Sequence, residues 1–400
     1  MTTRRPHALI VGAGIGGLSA AWWLDKAGWN STIIERAASI RPGGYVMSLS
    51  GLGYETLKRM DLKDHLDGVS YQFGENVIKD SRGKDLLRLR YSDVHGGMEN
   101  LAVCRDDLAQ SLAAALPETA AIRFNEILAE VVDDGPKVRA KLNSGDQLEA
   151  DLLVGADGIR SSVRDEFWKD EDCLEHLGYS FATYNISEKE VLEASCISFN
   201  YPGHLDVFYA LRNNQIAALH IWRDDQVKRS DTSKPGFDHL REVVSGQVPM
   251  VSQLIESAEK ARSVPLVDSL SMVVLRQWSK GRILLLGDAA HCITLMSGQG
   301  AGMAIASAEI LANELKATAD IPEALANWEK KLRPVIERLQ NRSRTLAAMY
   351  IPKDKLSYTA RSLVLKFLPY NWIVSWHAKG IKSEIRLAKE EVNGSPSMAG

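Results

Sequence analysis

The run Ala8-Leu9-Ile10-Val11-Gly12-Ala13-Gly14-Ile15-Gly16-Gly17-Leu18, continued to Thr32-Ile33-Ile34-Glu35, decides how the fold is read. Residues 8–11 are a short apolar stretch with β-branched members, suited to a strand buried on both faces of a parallel sheet. Gly12, Gly14 and Gly17 then match G-x-G-x-x-G, and Leu18, Ala21, Trp22 and Leu24 follow in a helical pattern that ends near Gly28. A second apolar strand, Thr32-Ile33-Ile34, finishes in Glu35, about twenty residues after the glycine turn. Each piece has a physical task. Gly12 permits the tight turn, Gly14 lets a pyrophosphate approach the backbone, Gly17 allows close helix–strand packing, and the helix N-terminus faces phosphate charge. A carboxylate at Glu35 accepts hydrogen bonds from ribose hydroxyls and repels a 2′-phosphate, which points to FAD or NAD rather than NADP.

Outward from this unit, the 400 residues imply two or three domains. A hydrophobic content of 45% with 25% charged residues rules out a disordered chain, and a net charge of −3 gives no general attraction to nucleic acid. Cys104, Cys173, Cys196 and Cys292 are far apart and form no Cys-x-x-Cys pair, so neither a metal cluster nor a disulfide framework is expected. Arg4-Arg5 before an apolar run resembles an export signal. Gly12, Gly14, Gly16 and Gly17 break that run and Asp25-Lys26 close it, so it reads as strand, turn and helix, with no membrane insertion and a cytoplasmic location.

Two more strand-to-turn units follow. Asp151-Leu152-Leu153-Val154-Gly155-Ala156-Asp157-Gly158 runs into a helix start at Ile159-Arg160-Ser161-Ser162-Val163-Arg164. Arg282-Ile283-Leu284-Leu285-Leu286-Gly287-Asp288-Ala289-Ala290-His291 precedes Ser297-Gly298-Gln299-Gly300-Ala301-Gly302 and a helix pattern from Met303 to Leu315. Both end a buried strand in an Asp, and α/β sheets bind ligands at the carboxyl ends of their strands. Bare backbone N–H groups around Gly298, Gly300 and Gly302 suit an anionic or carbonyl-rich ligand.

Together the three units resemble the class A, single-component FAD-dependent aromatic hydroxylases over roughly residues 7–318. The short branch that includes the tetracycline-inactivating monooxygenases is similar to Gly43-Gly44-Tyr45 after Arg41 as well. The resemblance implies that Gly12, Gly14 and Gly17 cradle the FAD pyrophosphate, that Glu35 binds the adenosine ribose, and that Arg36 lies near the adenine. It implies that Arg105 touches the ribityl–phosphate region and that Asp157 and Gly158 serve FAD and the nicotinamide donor. It further implies that Asp288, after Gly287, holds the ribitol while Gly298, Gly300 and Gly302 contact the isoalloxazine. Leu295 stands where the family usually has Pro, and Gly302 where it usually has Asn. His291 is expected to order the turn rather than act as a base. No second complete G-x-G-x-x-G is present, which agrees with a nicotinamide donor that visits without its own domain.

Residues 177–265 switch to strand alternation. Asn213-Asn214 reads as a type I′ turn, which would set Tyr209 opposite Ala218, Val207 opposite His220 and Leu205 opposite Trp222. Tyr209, His220 and Trp222 then share one face, either an aromatic substrate wall or an ordinary core face. The tail is helical in pattern, with Pro334 a candidate kink, and residues 353–391 are basic.

The expected fold is α/β: a Rossmann-like FAD-binding domain over 1–72, 99–176 and 266–318, a discontinuous, mostly β substrate domain over 73–98 and 177–265, and C-terminal helices over 319–400. The expected activity, by resemblance, is hydroxylation of an aromatic or polycyclic, phenolic small molecule with O2 and NADPH or NADH through a flavin C4a-hydroperoxide. The alternatives are an oxidase or reductase on a similar substrate, or a ubiquinone-pathway type of hydroxylation at a membrane surface. Oligomeric state is not legible.

Overall fold

The structure is a computed structural model that describes residues 4–40, 45–95, 98–187, 192–224, 236–244, 248–367 and Trp372. The similarity to short family members at Gly43-Gly44, and most of the basic tail, lie outside the described residues.

The chain is mixed α/β. Six strands form one sheet in the order Ser279–Lys280, Ile283–Leu285, Leu152–Gly155, His7–Val11, Asn30–Glu35, Ala120–Phe124. All neighbours in it are parallel except the first pair. Leu9, Ile10, Leu152, Leu153, Val154 and Leu284 are fully buried, as expected where helices cover both faces of a parallel sheet. Helix Ile15–Lys26 follows the first strand directly and packs against helix Gly300–Ala317. Gly155 lies where a Cβ would press within 2.9 Å of both Leu285 and Val163, so the second and third strand-to-turn units can sit side by side only with glycine here.

Seven strands form the second large sheet, in the order Leu266–Val273, Leu174–Ser187, Gln215–Arg223, His204–Ala210, Cys196–Tyr201, Glu75–Lys79, Asp85–Arg90. Strand Leu266–Val273 pairs with Leu174–Ser187 and so belongs to this sheet, although residues 266–318 read as part of the nucleotide domain. Helices Phe237–Val244 and Pro249–Lys260 cover its back with a core that includes Trp222, Phe208, Leu240 and Ile255.

The hairpin register differs from the expected one. Leu205 pairs with Ile221, Val207 with Leu219 and Tyr209 with Ala217. Asn213 and Asn214 do take positive φ of 58° and 55°, but the loop holds Arg212 as well, because the Leu211 N–H already donates to the Gln215 carbonyl at 2.7 Å. One extra loop residue slips the pairing by one, and with a side-chain period of two that sends half of the expected face to the other side. Helix Ile321–Tyr350 runs continuously through Pro334 and lies along helix Gly300–Ala317. Among the described residues, no helix is long and apolar enough to cross a membrane.

Candidate functional site

At the nucleotide end, Gly12 has φ 104°, and a Cβ there would lie 2.6 Å from the Ala156 carbonyl oxygen. A Cβ on Gly17 would lie 2.0 Å from the Gly12 oxygen, so these two glycines are fixed by close packing. Gly14 is different: a Cβ there would meet nothing within 4 Å. It caps helix Ile15–Lys26 with no side-chain cap and no acidic residue in the first turn, which leaves positively polarised N–H groups facing open space. Glu35 accepts from the Ala13 N–H and the Ala37 N–H, both at 2.9 Å. Two of its roughly four lone-pair positions remain for ribose hydroxyls. Arg36 is exposed beside it. A turn open only above Gly14, with an anchored carboxylate at its side, fits an FAD pyrophosphate and ribose.

Farther along the cleft, Asp288 begins the short helix Asp288–His291, directly after Gly287 at φ 64°. Its side chain is open to solvent yet deeply surrounded by protein, as at the floor of a cleft. Burial pushes its carboxyl up, and the Arg105 charge and the Cys292 thiol offset part of that. The Tyr45 hydroxyl joins this group and is pushed up to about 12 by burial and then by Asp288. Asp288, Arg105 and Tyr45 therefore converge from three separate segments, a polar set suited to a ribityl chain.

Asp157 and Gly158 (φ 85°) form the second turn. The Asp157 Oδ2 accepts from the Ser162 N–H at 2.7 Å and the Ser162 hydroxyl at 2.9 Å, while its buried Oδ1 has no partner among the described residues. A residue that sequence reasoning missed ties this turn to the third. Arg164, 2% exposed, donates to the Ile159 carbonyl at 2.6 Å and the Ala289 carbonyl at 3.2 Å. A buried guanidinium is costly unless its donors are used. The signal was present, since Arg164 ends the quoted run, but its spacing carries no role of its own.

Past Asp288, His291 is buried against Trp278 and Trp328, with ring centroids 4.8 Å and 6.5 Å away. Burial depresses its pKa to about 4, so it is a neutral packing residue behind the loop. The loop itself runs through Leu295–Ser297, Gly298 in the left-handed region (φ 64°), and Gln299, whose side-chain amide donates to the Ser50 hydroxyl at 3.0 Å. Gly300 lies beside Asp288. Gly302 meets Gly53 of helix Gly51–Arg59 across a close helix crossing.

The front face of the seven-stranded sheet looks toward this loop. Leu295 and Met296 pack on a small core of Tyr179, Ile221, Leu270, Ala347 and Ile351, and Phe181, Leu205, Leu219 and Tyr350 border the same core. Tyr209 lies on the same face as Leu205 and beside Phe73 at 5.4 Å, and burial pushes its hydroxyl up. His220 and Trp222 do not share that face. His220 is fully buried behind the sheet, with Nδ1 2.7 Å from the Asp206 Oδ1 and Nε2 2.9 Å from the Tyr184 hydroxyl. Trp222 packs at 5.6 Å on His239. The one-residue slip separates them from Tyr209 and brings Leu219 and Phe181 forward instead.

Among the described residues, one grouping offers metal-donor atoms: Cys104, Asp106 and Asp107. Burial pushes the Cys104 thiol up to about 11, and Arg212 already pairs with Asp107 at 2.8 Å, so the group is ill suited to a cation.

A family model described as an FAD binding domain matches residues 5–343. An uncharacterized protein of Mycobacterium tuberculosis is 30% identical over 346 residues, spanning 83% of this chain and 91% of that protein. A flavin-dependent monooxygenase of Legionella longbeachae is 26% identical over 372 residues, 87% of this chain and 90% of that one. The solved structure of the tetracycline destructase Tet(51) superposes with a TM-score of 0.78 at 24% identity, covering 94% of this chain and 98% of that one.

Proposed function

The chain belongs to the FAD-binding-domain family and is an FAD-dependent monooxygenase of the aromatic-hydroxylase type, and from that premise we propose that it hydroxylates a bulky, largely apolar phenolic ring system. NADPH or NADH is the visiting electron donor in this reading. The observation that carries it is the wall beside the loop of Leu295–Ser297, where Phe181, Leu205, Leu219 and Tyr350, with Met296 of the loop itself, leave part of their apolar surface open. Such a wall rejects small, strongly hydrated substrates and favours fused or substituted rings. The similarity to a protein whose name says that it destroys tetracycline, a polycyclic phenol, agrees with that size class.

Each chain residue then has a task. Gly14 and the first turn of helix Ile15–Lys26 receive the pyrophosphate, Glu35 the ribose, and Asp288 with Arg105 and Tyr45 the ribityl chain. Bound FAD supplies hydride acceptance and oxygen activation. The segment from Leu295 to Gly302 presents the ring-side backbone, and the sheet face excludes water and orients the substrate ring. Tyr209, with its hydroxyl held protonated, offers a hydrogen-bond donor at one end of that face. The reading is tested by titrating tetracycline and smaller phenols into the holoprotein. Support is a perturbed flavin absorbance together with faster NADPH or NADH oxidation for the larger rings. Equal response to phenol itself and to polycyclic phenols contradicts the size class.

A further inference from the structure

Thr294, immediately before the loop of Leu295–Ser297, has φ 61° and ψ 161°, a conformation reserved almost entirely for glycine and costly for a β-branched residue. It is 7% exposed, so the chain around it is packed. Two buried polar side chains, one turn apart on helix Ile321–Tyr350, hold the two peptide groups before it. The Ser343 hydroxyl donates to the Ile293 carbonyl at 2.5 Å. The Gln340 amide donates to the Cys292 carbonyl at 3.3 Å and to the Val273 carbonyl, in the substrate sheet, at 2.8 Å. Gln340 is 5% exposed and Ser343 0%.

The Ile293 carbonyl belongs to the peptide plane whose rotation sets φ of Thr294. Relaxing Thr294 to negative φ requires that plane to turn, which carries the carbonyl away from Ser343 and leaves a buried hydroxyl unpaired. The Thr294 hydroxyl oxygen in turn accepts from the Met296 N–H at 3.3 Å, and its carbonyl accepts from the Ser297 hydroxyl at 3.2 Å, so its conformation sets the start of the loop.

We propose that Gln340 and Ser343 are positioning residues that hold Thr294 in its strained conformation and thereby set the loop from Leu295 to Gly302 against both the flavin ring and the substrate sheet. The inference rests on the reading of that loop as the flavin contact. Both side chains are buried and act through the Cys292–Thr294 backbone. Gln340 ties the Cys292 carbonyl to the Val273 carbonyl of the substrate sheet, reinforcing the direct bond from the Val273 N–H to the Cys292 carbonyl at 3.3 Å, so the spacing between ring and substrate wall is set partly through it.

The experiment compares the holoprotein with Ser343→Ala, Thr294→Gly, the double variant and Gly298→Ala. Visible flavin spectrum, flavin midpoint potential and Tm are read for each. Ser343→Ala is expected to shift spectrum and potential at undiminished FAD content. Thr294→Gly is expected to raise Tm more in the parent than in Ser343→Ala, because only the clamped loop holds strain to release. Equal Tm changes in both backgrounds, or an unshifted flavin in Ser343→Ala, overturn the proposal. Gly298→Ala separates the two readings. If it moves the flavin spectrum while Ser343→Ala does not, the loop contact stands and the clamp falls; if it moves nothing, both fall. Should Ser343→Ala not retain FAD, Gln340→Met carries the same comparison.

Discussion

Gly53 and Gly302 meet backbone to backbone: a Cβ on Gly53 would stand 2.2 Å from the Cα of Gly302. Around this crossing Glu309 accepts from Arg59 through both carboxylate oxygens, at 2.5 and 2.6 Å, and from the Thr56 hydroxyl at 2.7 Å. Helix Gly51–Arg59 is thus locked onto helix Gly300–Ala317 beside the loop of Leu295–Gln299. The glycine at 302, where the family usually has Asn, therefore has a packing partner in Gly53.

The two glycines are predicted to respond differently. Gly53→Ala forces the helices apart and is expected to cost about 1–3 kcal/mol, with weaker FAD retention. A Cβ on Gly302 meets its nearest neighbour at 3.5 Å, an ordinary contact. Gly302→Ala should be neutral or stabilising, since alanine favours a helix interior by up to about 1 kcal/mol. Denaturant midpoints of the two variants check this, and equal losses would contradict it.

FAD retention should depend on Asp288 and Glu35. Asp288→Ala removes the carboxylate from the Arg105 and Tyr45 group and is expected to give largely flavin-free protein. Glu35→Gln places an amide donor against the Ala13 or Ala37 N–H and weakens ribose binding by about 10- to 100-fold, the value of one or two charge-assisted bonds. Flavin content after gel filtration and FAD titration of the stripped protein measure both. An Asp288→Ala protein with full flavin would remove that residue from the site.

The histidine behind the loop predicts an acid limb of stability. Burial holds His291 neutral with a pKa of about 4, below its value in the unfolded chain. The unfolded state therefore binds the proton first. His291's contribution is complete above about pH 6.5 and is lost as pH falls toward 4, with a total near 3 kcal/mol. Denaturant unfolding between pH 7 and 4 should show this slope in the parent and a shallower one in His291→Asn.

Front and back of the substrate sheet should separate in function. Asp206 is 1% exposed, and its carboxylate also accepts from the Tyr201 hydroxyl at 2.7 Å. Asp206→Ala leaves the buried His220 Nδ1 and the Tyr201 hydroxyl without their carboxylate partner and should cost about 3–5 kcal/mol. Its flavin response to bound phenols should be unchanged at a temperature where it is folded. Phe181→Ala and Leu219→Ala should weaken phenol binding with less loss of stability. Binding losses equal in all three variants would contradict the assignment of faces.

The nucleotide half of the protein was legible because its requirements are local. Gly12, Gly14, Gly17 and Glu35 lie in one short segment, and the close packing at Gly12 and Gly17 and the open turn at Gly14 follow from backbone geometry alone. The turns that hold Asp157 and Asp288 were legible for the same reason, each following a buried strand. The substrate wall was not, because its face depends on a single loop residue: Arg212 joins Asn213 and Asn214 in the turn, and His220 and Trp222 move behind the sheet while Leu219 comes forward. Arg164, Gln340 and Ser343 carried no readable role for another reason. Each reaches a backbone carbonyl more than forty residues away, Ala289 for Arg164, Cys292 and Val273 for Gln340, and Ile293 for Ser343, and no spacing rule carries that information.

Oxygen from O2 is expected to reach an aromatic ring held between the loop at Leu295 and the wall of Phe181 and Leu219. The measurement is turnover of the holoprotein under 18O2 with NADPH or NADH and a phenol whose binding perturbs the flavin spectrum. The product is analysed by mass spectrometry and hydrogen peroxide is measured in parallel. One labelled oxygen atom per product molecule is expected, with peroxide well below the NAD(P)H consumed. Unlabelled substrate, with all reducing equivalents recovered as hydrogen peroxide, would contradict it.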